Sequence, residues 1–379
     1  MTPPQDKMRG ISDMREQNTK PKLILIGGFL GSGKTTLMMA LGEELVKQGA
    51  RVAVVTNDQG EFLVDTAYAR SKGLTAGEVL GGCFCCNFGE LVGILENLEE
   101  TEKPDYIFAE PVGSCTDLAA TVLGPMKLYH DELVELGPYL VLADGGRMRG
   151  EYEHLRLETP VTPREVLVAH QLKEASILIL SKDDLLTAPD RDKSIARLKR
   201  LVPDAEILHC STQSGVGLEG IIAMLKDSPP LNLPVPVDID YGVYAAAEAE
   251  LGWYNGLVSF SSKIPFSPTD LVMDMMTDLK KRLGSDAAHA KILITSAAGS
   301  MKAGLAGGRL HAKTAIEDDA DVDRVGLTLN IRSLGAPEKL EAAARRLIED
   351  AAQRYGLEES GYRSEALIPG APKPTHRLK

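Results

Sequence analysis

The sequence predicts an α/β protein: a P-loop NTPase domain with a doubly wound, mostly parallel sheet, followed by a smaller C-terminal α+β domain of ferredoxin-like type. Three observations carry this reading. The stretch Lys22-Leu-Ile-Leu-Ile-Gly-Gly-Phe-Leu-Gly-Ser-Gly-Lys34-Thr35-Thr36 joins an apolar strand to a helical pattern through G-x-x-x-x-G-K-T, the context a phosphate-binding loop requires. Downstream, apolar strands alternate with helical patterns, and each motif falls at the carboxyl end of a strand, where such sheets place function. Past a proline-rich stretch the order becomes strand, helix, strand, strand, helix, which suggests the ferredoxin-like arrangement.

Lys22 to Ile26 form the first strand. Gly28, Gly31, Ser32, Gly33, Lys34, Thr35 and Thr36 are the candidate phosphate contacts. Glycines allow backbone shapes in which successive N–H groups converge on phosphate oxygens, and the following helix N-terminus adds partial positive charge. Lys34 would reach the β and γ phosphates, and the Thr35 hydroxyl would bind Mg²⁺. A helix from Thr35 to Lys47 stops near Gly49. Arg51 to Thr56 form the second strand, ending in Asn57-Asp58-Gln59-Gly60-Glu61. The polar segment from there to Gly82 reads as a long mobile loop. Leu91, Ile94, Leu95 and Leu98 mark a helical face. Strands follow at Asp105–Ala109, Tyr139–Ala143, Ile177–Leu180 and Ala205–His209, with a helical stretch from Arg164 to Ala175.

Four prolines between Ser228 and Val237 make a stiff linker. The expected layout is a flexible tail at 1–21, a GTPase domain at 22–227, a linker at 228–241, an α+β domain at 242–360 and an extended tail at 361–379. Within the second domain, Leu257–Ser261, Lys291–Thr295 and Gly326–Ile331 read as strands. Pro268–Leu283 and Pro337–Tyr355 read as helices. A Gly- and Ala-rich loop between the middle strands, followed by the acidic run from Glu317 to Asp323, reads as a solvated hairpin connection.

Composition narrows the function. With 44% hydrophobic and 25% charged residues the chain is an ordinary soluble globular protein. A net charge of −12 argues against a general nucleic-acid or anionic-membrane binder. No run approaches the ~20 apolar residues of a membrane span. The polar first twenty residues lack the apolar core of a signal peptide, which points to the cytoplasm.

Ser181-Lys182-Asp183-Asp184 stands at a strand end and resembles the [NT]KxD guanine-reading motif. Asp184 would accept from N1–H and the exocyclic amine of guanine, a donor pair that adenine lacks. Lys182 would lie along the base plane; Ser181 replaces the usual Asn. Ser211, at the end of the next strand, matches the last guanine-contacting loop. GTP is favoured over ATP.

The five cysteines are Cys83, Cys85, Cys86, Cys115 and Cys210. Gly82-Cys83-Phe84-Cys85-Cys86 sets three thiols within four positions, able to offer soft ligands to one ion. Zinc is the natural guest, with cobalt and nickel open, and a fourth ligand is needed. A buried inert cluster and a redox pair at Cys85–Cys86 are the competing readings. The seven histidines are scattered, which disfavours a metal-storage tract.

Together GGFLGSGKTT, NDQGE, GGCFCC, the acidic strand end at Glu110 and SKDD resemble the CobW-like metal-chaperone GTPases, relatives of the urease- and hydrogenase-maturation nickel GTPases. The resemblance covers about residues 22 to 227. It implies a GTPase whose CxCC thiolates at Cys83, Cys85 and Cys86 take Zn²⁺, Co²⁺ or Ni²⁺ and whose hydrolysis is coupled to metal transfer to a client enzyme or apo-protein. By position, Asp58 and Glu61 fall in the family's N-E-F-G-E segment, where acidic residues sense Mg²⁺ or metal; Asp58 replaces a Glu. Glu110 corresponds to the acidic end of the Walker B strand, although Pro111 and Val112 depart from the family's small hydroxyl residues. Cys115 is a candidate to complete the metal site, against the ordinary packing role of a single cysteine. Relatives often dimerise through nucleotide or metal, so a homodimer is one assembly the resemblance allows. The alternative is a regulatory GTPase that escorts or reactivates a corrinoid-dependent or other metalloenzyme, with the cysteines as a structural zinc site.

Overall fold

β1 (Lys22–Gly28) is apolar along its length and buried on both faces, as the centre of a parallel sheet requires. Its residues alternate between two cores: Leu23 and Leu25 pack with Leu91, Leu95 and Leu167 on one side, and Ile24 and Ile26 pack with Leu37, Leu41 and Leu225 on the other. The structure, a computed structural model, describes residues 20–57, 74–79, 82–233, 236, 238–314, 316 and 320–378. Asp58, Glu61, most of the N-terminal tail and part of the acidic run lie outside the described residues.

Around β1 stand β2 (Val52–Asn57), β3 (Thr75–Val79), β4 (Tyr106–Glu110), β6 (Leu140–Asp144), β7 (Ile177–Ser181) and β8 (Glu206–His209), in the order β3-β2-β4-β1-β6-β7-β8. The two-residue β5 (Glu135–Leu136) lies beside the start of β1. All these pairings are parallel. The first helix (Lys34–Lys47) leaves β1 through the glycine loop, so the loop sits where the strand order reverses. Among the described residues, no helix is long and apolar enough to cross a membrane.

β3 corrects the expectation of an unbroken loop between Asn57 and Gly82. Thr75-Ala-Gly-Glu-Val79 carries little intrinsic strand preference, and of its five residues only Val79 is fully buried. Pairing with β2 on the sheet edge overrides propensity. Gly77 is required there, because a Cβ would stand 2.5 Å from Ile94.

The second sheet is antiparallel, in the order β12-β11-β10-β13-β9-β14. Its strands are β9 (Leu251–Phe266), β10 (Ala287–Ser296), β11 (Gly299–Ala306), β12 (Arg309–Thr314), β13 (Val322–Leu334) and β14 (Glu358–Leu367). The helices Pro268–Leu283 and Pro337–Tyr355 cover one face with Leu271, Met275, Leu347 and Ile348. Strands β14-β9-β13-β10 with these two crossovers make the ferredoxin-like unit. The Gly- and Ala-rich segment expected as a loop is instead the hairpin β11–β12, which extends the sheet edge. Its turn residues Gly307 and Gly308 have φ of 55° and 70°, the left-handed pair that a two-residue hairpin demands. At Gly304 a Cβ would stand 2.4 Å from the His311 ring. The two units share packing: Tyr244 and Ala247 of the helix Tyr241–Ala249, with Leu251 and Trp253 of β9, join the core of the first sheet.

Candidate nucleotide and metal site

The loop after β1 has the backbone of an anion cradle. Gly28, Gly31 and Gly33 take φ of 127°, 78° and 100°, conformations that side-chain-bearing residues resist. Lys34 is 6% exposed, and its Nζ donates to the Gly28 carbonyl at 3.0 Å and stands 3.7 Å from Glu110 Oε1. Thr35 is buried in the first helical turn. Gly113 completes the cradle, since a Cβ there would lie 2.9 Å from Lys34 Nζ. The loop opens into a cavity of about 910 Å³, lined among others by Gly31 to Thr36, Glu110 and Asp184, a volume within the usual range for small-molecule sites.

At the end of β7, Lys182 takes a left-handed backbone, φ 59°. That turn sends Lys182 and Asp184 into the cavity wall and Asp183 away from it. Asp183 is buried against Arg191 and His209, so the two adjacent carboxylates have separate tasks. Lys182 Nζ donates to the Gly31 carbonyl at 2.6 Å and pairs with Asp144 at 2.7 Å. Burial works to raise the Asp144 carboxyl, but Lys182 and Arg147 outweigh it and the pKa is lowered. Ser181 Oγ donates to the Ser32 carbonyl at 2.7 Å. Ser211 is buried and donates to Asp184, holding that carboxylate, while its neighbours Thr212 and Gln213 line the cavity. Cys210 lies here, apart from the other thiols, and burial pushes it up to about 12.

The second sheet forms the opposite wall. Arg147 donates from one nitrogen to the Leu30 carbonyl and from another to the Ala288 carbonyl, both at 2.8 Å, and so bolts the phosphate loop to β10. A Cβ at Gly31 would meet Ala306 of β11 at 2.6 Å. His289, Lys291, Lys302 and His311 reach the same cavity. His311 keeps an open side, yet burial in the cavity, with Lys182, Lys302 and Lys291 adding to it, lowers its pKa to about 4.

The cysteine cluster lies beyond the end of β2. Cys83 Sγ is 2.8 Å from Cys85 Sγ and 3.1 Å from Cys86 Sγ, and the latter two are 3.9 Å apart. Cys83 and Cys85 are buried; Cys86 is half-buried. Contact among these thiols lowers Cys83, while contact with Cys83 and burial raise Cys85, Cys86 and Cys115, so the cluster does not bear a negative charge on every sulfur at once.

Asn57 connects the two regions. It lines the nucleotide cavity. Its side chain donates to the Val79 and Gly82 carbonyls at 3.2 and 2.7 Å and accepts the Phe84 N–H at 2.8 Å. Sequence reasoning singled out its acidic neighbours Asp58 and Glu61 and passed over Asn57, although the NDQGE motif contains it. Asp144 had a cue, since it directly follows the strand read at Tyr139–Ala143; Arg147 carried no local signal.

A distant segment roofs the cluster. The Lys373 N–H donates to Cys86 Sγ at 3.2 Å, the Thr375 N–H to the Cys85 carbonyl at 2.8 Å and the Thr375 hydroxyl to the Cys86 carbonyl at 3.0 Å. The His376 ring stands 5.3 Å from both Phe88, edge-on, and Tyr129, tilted. Arg377 pairs at 2.6 Å with Asp117, which is wholly buried and also accepts from Tyr241.

Glycine cradle, buried lysine and the carboxylates lining the cavity define a P-loop nucleotide-binding protein. Residues 22–209 match the family model for CobW/HypB/UreG, nucleotide-binding domain, and the chain belongs to this family through that domain. The zinc chaperone CobW of Sinorhizobium sp is 26% identical over 270 residues, 63% of this chain and 75% of that protein. The zinc chaperone YeiR of Escherichia coli (strain K12) is 30% identical over 180 residues, 46% of this chain and 49% of the relative. Zinc-regulated GTPase metalloprotein activator 1 of Dictyostelium discoideum is 25% identical over 227 residues, 52% of this chain and 47% of the relative. The chain thus spans about half the length of these last two. A solved structure of HypB from Helicobacter pylori in complex with nickel is similar at 20% identity and a TM-score of 0.41, over 55% of this chain and 86% of that one. The fold stands on its own strand order.

Proposed function

We propose that the chain is a GTP-hydrolysing metallochaperone that takes zinc on Cys83, Cys85 and Cys86 and couples hydrolysis to delivery of the ion to an apo-protein client. The observation that carries this reading is Asn57, which faces the nucleotide cavity and grips the cysteine loop by three hydrogen bonds. A change beside the γ-phosphate therefore has a short path to the thiolates. Relatives named zinc chaperones and a zinc-regulated GTPase support the choice of cargo.

In this reading Lys34 and the loop amides hold the phosphates, and Asp184, fixed by Ser211, reads the guanine edge. Glu110 keeps Lys34 in place. Asp58 and Glu61, which follow β2 in the sequence, would couple the γ-phosphate to the cysteine loop. Thr35, which lines the same cavity as the buried Glu110, would hold a Mg²⁺ ion, which would neutralise phosphate charge. Residues 22–227 carry the chemistry, and residues 242–360 close the cavity and meet the client.

The test is GTP turnover with and without one equivalent of zinc, in the native protein and in Cys85→Ser/Cys86→Ser. A zinc-dependent change that the double substitution abolishes is the expected result. Equal rates in all four cases would sink the coupling. Burial of Cys83 and Cys85, with residues 373–375 bonded to Cys85 and Cys86, would then favour a GTPase that escorts a metalloenzyme and keeps its zinc for structure.

A further inference from the structure

We propose that the surface beneath residues 372–378 is a docking groove for an extended, arginine-bearing segment of a client protein, and that this chain's own segment is its resting occupant. That such a client exists rests on the delivery reading above; the groove stands on its own contacts.

Beyond β14 the chain takes neither helix nor strand, and from 371 to 378 exposed and half-buried residues alternate. That is the pattern of an extended chain laid along a surface. It is fastened mainly by its backbone. The Lys373, Thr375 and Leu378 N–H groups donate to Cys86 Sγ, the Cys85 carbonyl and the Ala120 carbonyl at 3.2, 2.8 and 3.0 Å. Such bonds recognise an extended backbone of almost any sequence, as in peptides that dock by main-chain pairing. Leu378 fills a notch at Gly124, where a Cβ would stand 2.7 Å from Leu378 Cδ1. Little apolar surface is committed, so lifting the segment costs far less than unfolding the core.

Asp117 gives the groove its chemical preference. It is wholly buried and holds a left-handed backbone, φ 63°, with its own N–H and that of Leu118 donated to the Glu174 carboxylate. Its position is therefore set before any occupant arrives. Oδ2 accepts from the Tyr241 hydroxyl and from Arg377 Nε, both at 2.6 Å. Among the described residues nothing hydrogen-bonds to Oδ1, although it too is buried. A buried carboxylate oxygen without a partner is costly. A guanidinium that approaches fork-on makes two parallel bonds and satisfies both oxygens. Arg377, tethered to the segment that also reaches Cys86, meets Asp117 through Nε alone. An untethered arginine can do better, so a client segment can displace the resident one. Exchange of occupants takes the Lys373 N–H off Cys86, the least buried of the three clustered thiols, as the client's chain comes to lie beside it.

The test uses a fluorescent peptide of sequence Ala-Pro-Lys-Pro-Thr-His-Arg-Leu, residues 371–378, titrated by anisotropy into the full, metal-free chain, native and Thr375→Pro/Arg377→Ala. In the variant the resident segment is weakened, so the peptide should bind about tenfold tighter than to the native chain. Replacing the peptide's arginine with alanine should lose about tenfold on the variant. GDP binding of the variant reports that it folds. Needing no variant, a peptide excess should speed hydrogen exchange of residues 372–378 in the native chain several-fold. Equal peptide affinity for both chains, indifference to the peptide's arginine, or unchanged exchange in the native chain overturns the groove. Metal enters none of these readouts, so their failure leaves the three-cysteine site standing, and loss of zinc-coupled turnover leaves the groove standing.

Discussion

Around Lys34 the backbone supplies the donors and the space is left open; around Cys83 the side chains face one another and the space is filled. The cradle of Gly28, Gly31 and Gly33 is preformed by local conformation and needs only a phosphate. The cluster is preformed by packing, under a roof from residues 373–378, 287 residues along the chain at the Lys373–Cys86 contact. A site made of backbone shape exchanges its ligand through an open mouth. One made by long-range packing exchanges only when something moves. Asn57 belongs to both, which makes it the place to test whether the two regions work together.

The largest effect is expected from Asn57→Ala. It strips the acceptor from the buried Phe84 N–H and the donor from the Gly82 carbonyl, a loss of about 1–3 kcal/mol of folding stability. Zinc should no longer change GTP turnover, while GDP affinity stays within a few-fold of native. If the zinc effect survives intact in this variant, the two regions are not joined through Asn57.

Arg377→Ala comes next. Asp117 keeps Tyr241 but loses its cation, so the roof loosens by about 1–2 kcal/mol. Alkylation of Cys86 by iodoacetamide should run several-fold faster, with GTP turnover in the absence of metal unchanged. An unaltered alkylation rate would show that the roof does not guard the thiol.

The smallest effect concerns pH. Burial, helped by the nearby charge on Cys83, raises Glu248 from 4.5 to about 7. A raised carboxyl favours the folded state while it is protonated. Its contribution is complete below about pH 4.5 and is lost as pH rises through about 7. Glu248→Gln should therefore reduce the fall in unfolding free energy, read from urea titrations, between pH 5 and 8 by about 1–3 kcal/mol. A variant with the same fall as native would place that pH dependence elsewhere.

The cradle, the strands at whose ends it sits and the cysteine triad were legible because each is local. A loop of four glycines, an apolar run and three thiols within four residues leave their mark in a short window. β3 was not legible, because Thr75 to Val79 owe their extended form to β2 and to Ile94 rather than to their own preferences. The β11–β12 hairpin left a cue that the loop reading passed over: Gly307-Gly308 is a two-residue turn signal between segments that can pair. The contacts of Arg147 to Leu30 and Ala288, and of Lys373 to Cys86, join residues more than a hundred positions apart in sequence. No pattern in a short window encodes them.

Three of the bonds that fasten residues 373–378 use main-chain donors: the N–H groups of Lys373, Thr375 and Leu378, the last reaching the Ala120 carbonyl at 3.0 Å. Such bonds survive almost any exchange of side chain at the donor position. The roof should therefore tolerate wide sequence drift along its length, and proline at one of these three positions is the change it resists. The Asp117–Arg377 pair is the other sensitive point, since a buried carboxylate cannot lose its partners cheaply. For mutational scanning this gives an uneven map, with permissive positions between a few that admit little change.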